Sequence, residues 1–222
     1  MSITKNINEF KANLPESVKL VAVSKTKPNN EILEAYYTRH KIFGENRVQD
    51  LIKKHEELPK DIEWHFIGHL QTNKVKYIAS FISVIHAVDG IKLLKKINNE
   101  AKKNNRVIDC LLQIHIAEES SKFGLTYEEL KQIITTNNLN ELKNIRIIGL
   151  MGMATYTNNS EQIKKEFDYL GQCFKELKNE YFIDNDYFRE ISMGMSDDYK
   201  LAIKSGSTMI RVGSSIFGKR NY

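Results

Sequence analysis

The chain has 222 residues, 41% of them apolar and 27% charged, proportions that exclude a disordered or fibrous protein and allow one domain with a proper core. Its net charge of +5 comes from 33 basic against 28 acidic residues, with the lysines scattered among glutamates, so the basic stripe of a nucleic-acid binder is missing. No apolar run approaches membrane-spanning length and Met1 to Glu9 has no signal-peptide core, which together predict a cytoplasmic protein that neither spans a membrane nor carries a leader.

In chain order, a helix near Ile3 to Asn13 precedes eight apolar, β-branched runs that read as strands: Val18 to Ser24, Lys41 to Gly44, Glu63 to Gly68, Ser83 to Val88, Val107 to Ile116, Ile145 to Met153, Phe188 to Met193 and Thr208 to Ile216. Helix-period stretches fill the gaps, at Asn30 to His40, Asn46 to Glu57, Asn73 to Phe81, Gly90 to Asn104, Thr126 to Thr136, Ser160 to Asn179 and Ser196 to Lys204. Thr126-Tyr127-Glu128-Glu129 has the spacing of a capping box. Strand alternating with helix builds parallel βαβ units, and eight of them match a closed (β/α)8 TIM barrel, with an open doubly wound sheet as the other arrangement. Nothing resembles an interdomain linker, so residues 1–222 are expected to form one domain. The two cysteines, Cys110 and Cys173, have no CxxC spacing and read as small core residues in a reducing compartment.

Two stretches carry chemistry. The run from Val18 ends abruptly at Lys25, which places an amine at the C-terminal edge of the predicted sheet. Apolar walls there would lower its pKa and free a lone pair for Schiff-base chemistry with an aldehyde. The other reading makes Lys25 and Lys27 solvated charges opening a loop. At the far end, Gly213 and Ser214 follow the eighth run, and Ser192 and Gly194 close the seventh. Small residues let amides and hydroxyls converge on an anion, and the loops after the last two strands are where TIM barrels hold phosphates. Arg211 shares a strand face with Gly213 and needs an acceptor, either a ligand or a structural carboxylate. Ser196 reads as a helix N-cap. His65 and His69 straddle a strand end, so their spacing does not bring the imidazoles together around a metal. His65 reads instead as a barrel-layer residue.

Several blocks, in order, resemble the pyridoxal phosphate homeostasis protein family, small barrels similar to the N-terminal domain of alanine racemase. They are Ala22-Val23-Ser24-Lys25-Thr26-Lys27-Pro28, Phe43-Gly44-Glu45-Asn46, Glu63-Trp64-His65-Phe66-Ile67-Gly68, Leu70-Gln71-Thr72-Asn73-Lys74, Gly149-Leu150-Met151-Gly152-Met153, Ser192-Met193-Gly194-Met195-Ser196-Asp197-Asp198 and Gly206 to Gly213. The resemblance implies that pyridoxal 5'-phosphate (PLP) is the cofactor, that Lys25 forms the Schiff base, and that Ser192, Gly213 and Ser214 lie near the phosphate. It further implies that Arg211 faces the pyridine nitrogen, with Asn46 and Met153 near the ring.

An arginine there disfavours the protonated ring and weakens PLP as an electron sink. Racemases of similar fold take a second acid-base residue from an additional β-domain, and with only six residues after its last predicted strand this chain is expected to lack one. The expected function is therefore a non-catalytic carrier and regulator in vitamin B6 homeostasis that exchanges PLP with free amines or apo PLP-dependent enzymes. A slow PLP-dependent amino-acid racemase is the alternative, and a cofactor-free phosphosugar enzyme the third class. Without the racemase's second domain a monomer is expected.

Overall fold

The computed structural model describes residues 2–119 and 123–218. Eight parallel strands close into a barrel in chain order, β1 (Lys19–Val23), β2 (Ile42–Glu45), β3 (Glu63–Phe66), β4 (Val84–Val88), β5 (Ile108–Gln113), β6 (Ile145–Met151), β7 (Glu190–Ser192) and β8 (Met209–Val212). β8 closes on β1 from Lys19 opposite Met209 to Ala22 opposite Val212. The expected TIM barrel and its N-terminal helix are what the chain forms. Around it stand α1 (Ile3–Asn13), α2 (Asn29–Tyr37), α3 (Val48–Glu57), α4 (Ile91–Lys103), α5 (Tyr127–Thr136), α6 (Ser160–Glu180), α7 (Tyr199–Lys204) and α8 (Ser214–Phe217).

Several expected elements have different ends, and two differ in kind or by more than a turn. The helix expected over Asn73 to Phe81 is a 3-10 turn, Thr72–Tyr77. The strand expected to run from Thr208 to Ile216 stops at Val212, because Gly213 turns the backbone (φ −121°, ψ −71°) into α8. At α5 the capping box forms as read, with Thr126 accepting from the Glu129 amide and Glu129 accepting in return. Thr126→Ala is expected to cost about 1 kcal/mol, measurable by urea unfolding.

The core has two layers. Most buried apolar side chains, Trp64, Phe43, Phe167 and Phe188 among the largest, pack between barrel and helices, and the unpaired thiols of Cys110 and Cys173 are buried with them. A second, smaller cluster of Val84, Leu111, Ile148 and Met151 lies inside. Its position follows from β4: His86 bonds to Ser192 of β7, across the barrel rather than along its wall, so Val84, two residues earlier on the same face, also points into the lumen. At the lower end Lys19 of β1 reaches Glu190 of β7 at 2.5 Å, and Thr208 donates to the same carboxylate. The β6–β7 seam requires a glycine at 149, at φ 151°, where a Cβ would stand 1.8 Å from the Glu190 carbonyl oxygen.

Candidate functional site

Each strand of a TIM barrel ends at one rim, and residues beyond the last hydrogen-bonded position are free to turn inward. Here residues just past the ends of six strands, β1, β2, β3, β6, β7 and β8, line one cavity of about 730 Å³. Lys25, Asn46, Met153, Arg211, Gly213 and Ser214 all line it. Ser192 and Gly194 do not. Gly194 sits at φ 93° against Ala202 and Tyr199, where a Cβ would meet the Ala202 Cβ at 2.5 Å, so it makes the turn from β7 toward α7. Its carbonyl accepts from the Arg211 amide at 2.9 Å.

Ser192 is fully buried directly beneath Arg211. Its hydroxyl accepts from Arg211 Nη1 at 2.6 Å, while Nη2 donates to the Gly152 carbonyl at 3.0 Å. The chain continues from Ser192 Oγ to His86 Nδ1 at 3.0 Å, and from His86 Nε2 to His65 Nδ1 at 3.0 Å. A guanidinium can only donate, so every group is used if Ser192 passes its proton to His86 and His86 passes its own to His65. Both imidazoles are then neutral. Burial, followed by the positive charges of Lys19 and Arg211 and by the neighbouring imidazoles, agrees with this, holding His65 down to about 3 and His86 well below the usual histidine range.

Arg211 itself is 4% exposed. Burial pulls it down to about 10, so it stays protonated at neutral pH. Among the described residues its side-chain partners are a hydroxyl and a carbonyl, so the structural carboxylate considered from the sequence is not what holds it. The charge of Asp198 acts in the opposite sense, and burial pushes that carboxyl above the usual range.

The Lys25 end is a tight turn. The Lys27 amide donates to the Ser24 carbonyl at 3.0 Å and Thr26 adopts φ 65°, which leaves Lys25 half-buried at the cavity wall. Lys27 caps α8 through the Phe217 carbonyl at 2.6 Å and pairs with Glu31 at 3.3 Å, so it is bound to structure rather than loose in solvent. On the adjoining strand end, where Gly213 packs beside Val23, the Gly213 amide donates to Ser196 Oγ at 3.3 Å, and Ser196 lines the cavity.

Sequence reasoning missed three things. Ser196 looked like a cap, yet α7 begins only at Tyr199 with Asp198 before it, which frees the Ser196 hydroxyl for the cavity. Glu166 of α6, 5% exposed, accepts from the amide and hydroxyl of Thr155 at 2.6 and 2.7 Å and from the Glu118 amide at 3.2 Å, tying the loops after β5 and β6 together at the rim. His86 carried no signal, because a lone histidine inside an apolar run reads as core. His69 faces Asp89 at 3.2 Å and stacks on Phe123. Among the described residues no helix is long and apolar enough to cross a membrane.

Residues 1–221 match the family model "Alanine racemase, N-terminal domain". The pyridoxal phosphate homeostasis protein of Aquifex aeolicus (strain VF5) is 42% identical over 205 residues, covering 92% of this chain and 88% of that protein. The structure of PipY, the COG0325 family member of Synechococcus elongatus PCC7942, superposes with a TM-score of 0.88 in its form with PLP bound, at 33% identity over 97% of this chain and all of that one. Alanine racemase from E. faecalis shares the fold, with a TM-score of 0.71 at 16% identity over 99% of this chain but 58% of its own length. The chain belongs to the alanine racemase N-terminal domain family, among its pyridoxal phosphate homeostasis proteins.

Proposed function

We propose that the cavity binds pyridoxal 5'-phosphate and that the protein serves as a carrier and regulator of it. The observation that carries this reading is the convergence of an amine, Lys25, and a wall of small donors, Gly213, Ser214 and Ser196, on one cavity with the Arg211 guanidinium also opening into it. The names of the relatives and the PLP-bound PipY structure support it. So does an unmet demand: Asn46 Oδ1 is buried without a donor among the described residues, and Arg211 has only neutral partners. A polar, anionic, aromatic ligand answers both.

In this reading the Lys25 amine adds to the aldehyde of PLP with loss of water, and a competing amine reverses the attachment. PLP supplies the reactive aldehyde and ring. The residues of the chain do the rest. Gly213 and Ser214, joined by Ser196, take the phosphate; Asn46 and Met153 flank the ring. Ser192 and Gly194, expected from the sequence near the phosphate, act one step removed, through Arg211 and through the turn before α7. Arg211, held by Ser192 and Gly152, presents a fixed positive charge to the ring nitrogen and disfavours a second one. That restrains chemistry on a bound amino acid and suits storage and delivery, to free amines or to apo PLP-dependent enzymes.

Borohydride reduction of PLP-loaded protein and peptide mass mapping test the assignment. The expected result is phosphopyridoxyl mass on Lys25, lost in Lys25→Ala; mass on Lys27, or on neither lysine, would refute it. Robust racemisation of D- or L-alanine by the loaded protein would overturn the carrier role in favour of a racemase.

A further inference from the structure

The turn that carries Lys25 is strained. Thr26 stands at φ 65°, a left-handed conformation that a β-branched residue adopts only under constraint. Strain of this kind persists where surrounding groups over-determine it. One constraint is the Lys27 amide on the Ser24 carbonyl. The second comes from outside the barrel: Lys54 of α3, 7% exposed, donates its amine to the same carbonyl at 2.8 Å. That amine also meets Glu45 Oε1 at 2.6 Å, and Glu45 Oε1 accepts the Ser24 hydroxyl at 2.6 Å.

This ion pair is placed oddly for one that serves stability alone. Glu45 is fully buried, its Oε2 has no partner among the described residues, and burial raises its carboxyl above the usual range against the pull of Lys54. Buried pairs of this sort are commonly matched or bettered by hydrocarbon. Its location is informative. Ser24 immediately precedes Lys25 and Glu45 immediately precedes Asn46, so a single amine grips the residue ahead of each of two cavity-lining positions.

We infer that Lys54 and Glu45 are positioning residues for the cofactor site, pinning the strained Ser24–Lys27 turn so that Lys25 and Asn46 face the same cavity. Neither touches the cavity, and the inference rests on the PLP reading of that cavity. The deciding variant is Glu45→Gln/Lys54→Met, which removes both charges and leaves no lone ion buried. Its PLP dissociation constant, from absorbance titration, is expected to be about tenfold weaker than that of the parent protein. Borohydride trapping on Lys25 should fall in parallel, while thermal unfolding remains cooperative. Adding Thr26→Gly, which accepts φ 65° without strain, is expected to restore affinity to within about threefold of the parent. An unchanged dissociation constant in the double variant, or a loss that Thr26→Gly does not mend, overturns the inference. If the double variant does not fold, Lys54→Gln with and without Thr26→Gly is read by the same criteria. Absence of PLP binding by the parent protein would instead sink the cofactor reading itself.

Discussion

Acidification from pH 6.5 toward 4 is expected to lower the unfolding free energy steeply, by up to about 1.4 kcal/mol per pH unit for each of three buried histidines. His40, His65 and His86 are 6%, 3% and 0% exposed. Burial is the leading cause of depression in all three, to about 4 for His40, to about 3 for His65, and well below the ordinary 6.5 for His86. In the unfolded chain each takes up a proton near 6.5, whereas in the folded chain each resists. The unfolded state therefore binds more protons across this interval, and stability present above 6.5 is lost as the pH falls. The contribution of His40 is exhausted near pH 4 and that of His65 near pH 3. Glu45 and Asp198, with carboxyls raised chiefly by burial, act in the opposite sense and offset part of the loss. The net is several kcal/mol against a usual total of about 5–15 kcal/mol, enough to bring the fold near its limit by about pH 4. Urea midpoints measured from pH 7 down to 4 check this; a flat profile between 6.5 and 4.5 would show that the histidines are already charged in the folded state.

Gly149→Ala should be the most damaging small substitution in the barrel. Its Cβ would fall 1.8 Å from the carbonyl oxygen, 2.7 Å from the carbonyl carbon and 2.9 Å from the nitrogen of Glu190, all backbone atoms of the neighbouring strand. Backbone cannot rotate away as a side chain can. Either β6 and β7 separate, opening the barrel and breaking the pairing of Gly149 with Glu190, or the strands shift register. The expected loss is about 4 kcal/mol or more, the range of severe core disruption. Gly206→Ala is the control, since Gly206 also has positive φ (94°) but a Cβ there meets nothing within 4 Å. It should cost about 1 kcal/mol. Equal urea midpoints for the two variants would mean that conformation, and not the β6–β7 approach, is what demands a glycine at 149.

How far the sequence could be read depended on the range of the forces involved. Barrel strands carry dense local signals: Val84 to Val88 and Ile108 to Gln113 are nearly continuous apolar runs because both faces are covered. The ends of elements were harder, as β8 illustrates, since Ile216 resumes the apolar pattern beyond Gly213 although the backbone turn at Gly213 has already ended the strand. At the site, residues that come directly after a strand, such as Lys25 and Gly213, were legible from position alone. The groups behind them were not. Ser192 bonds Arg211 nineteen residues away and His86 more than a hundred away, and Lys54 reaches Ser24 from a helix thirty residues further along the chain. Such pairings are made by closure of the ring of strands, and no local pattern encodes them.

Because the lumen is plugged from the Lys19–Glu190 pair upward through the histidines, Leu111 and Met151, the barrel is a blind well and not a tube. Traffic through it cannot be one-way. Whatever enters by the rim must back out by the same rim, so arrival and departure compete for a single doorway.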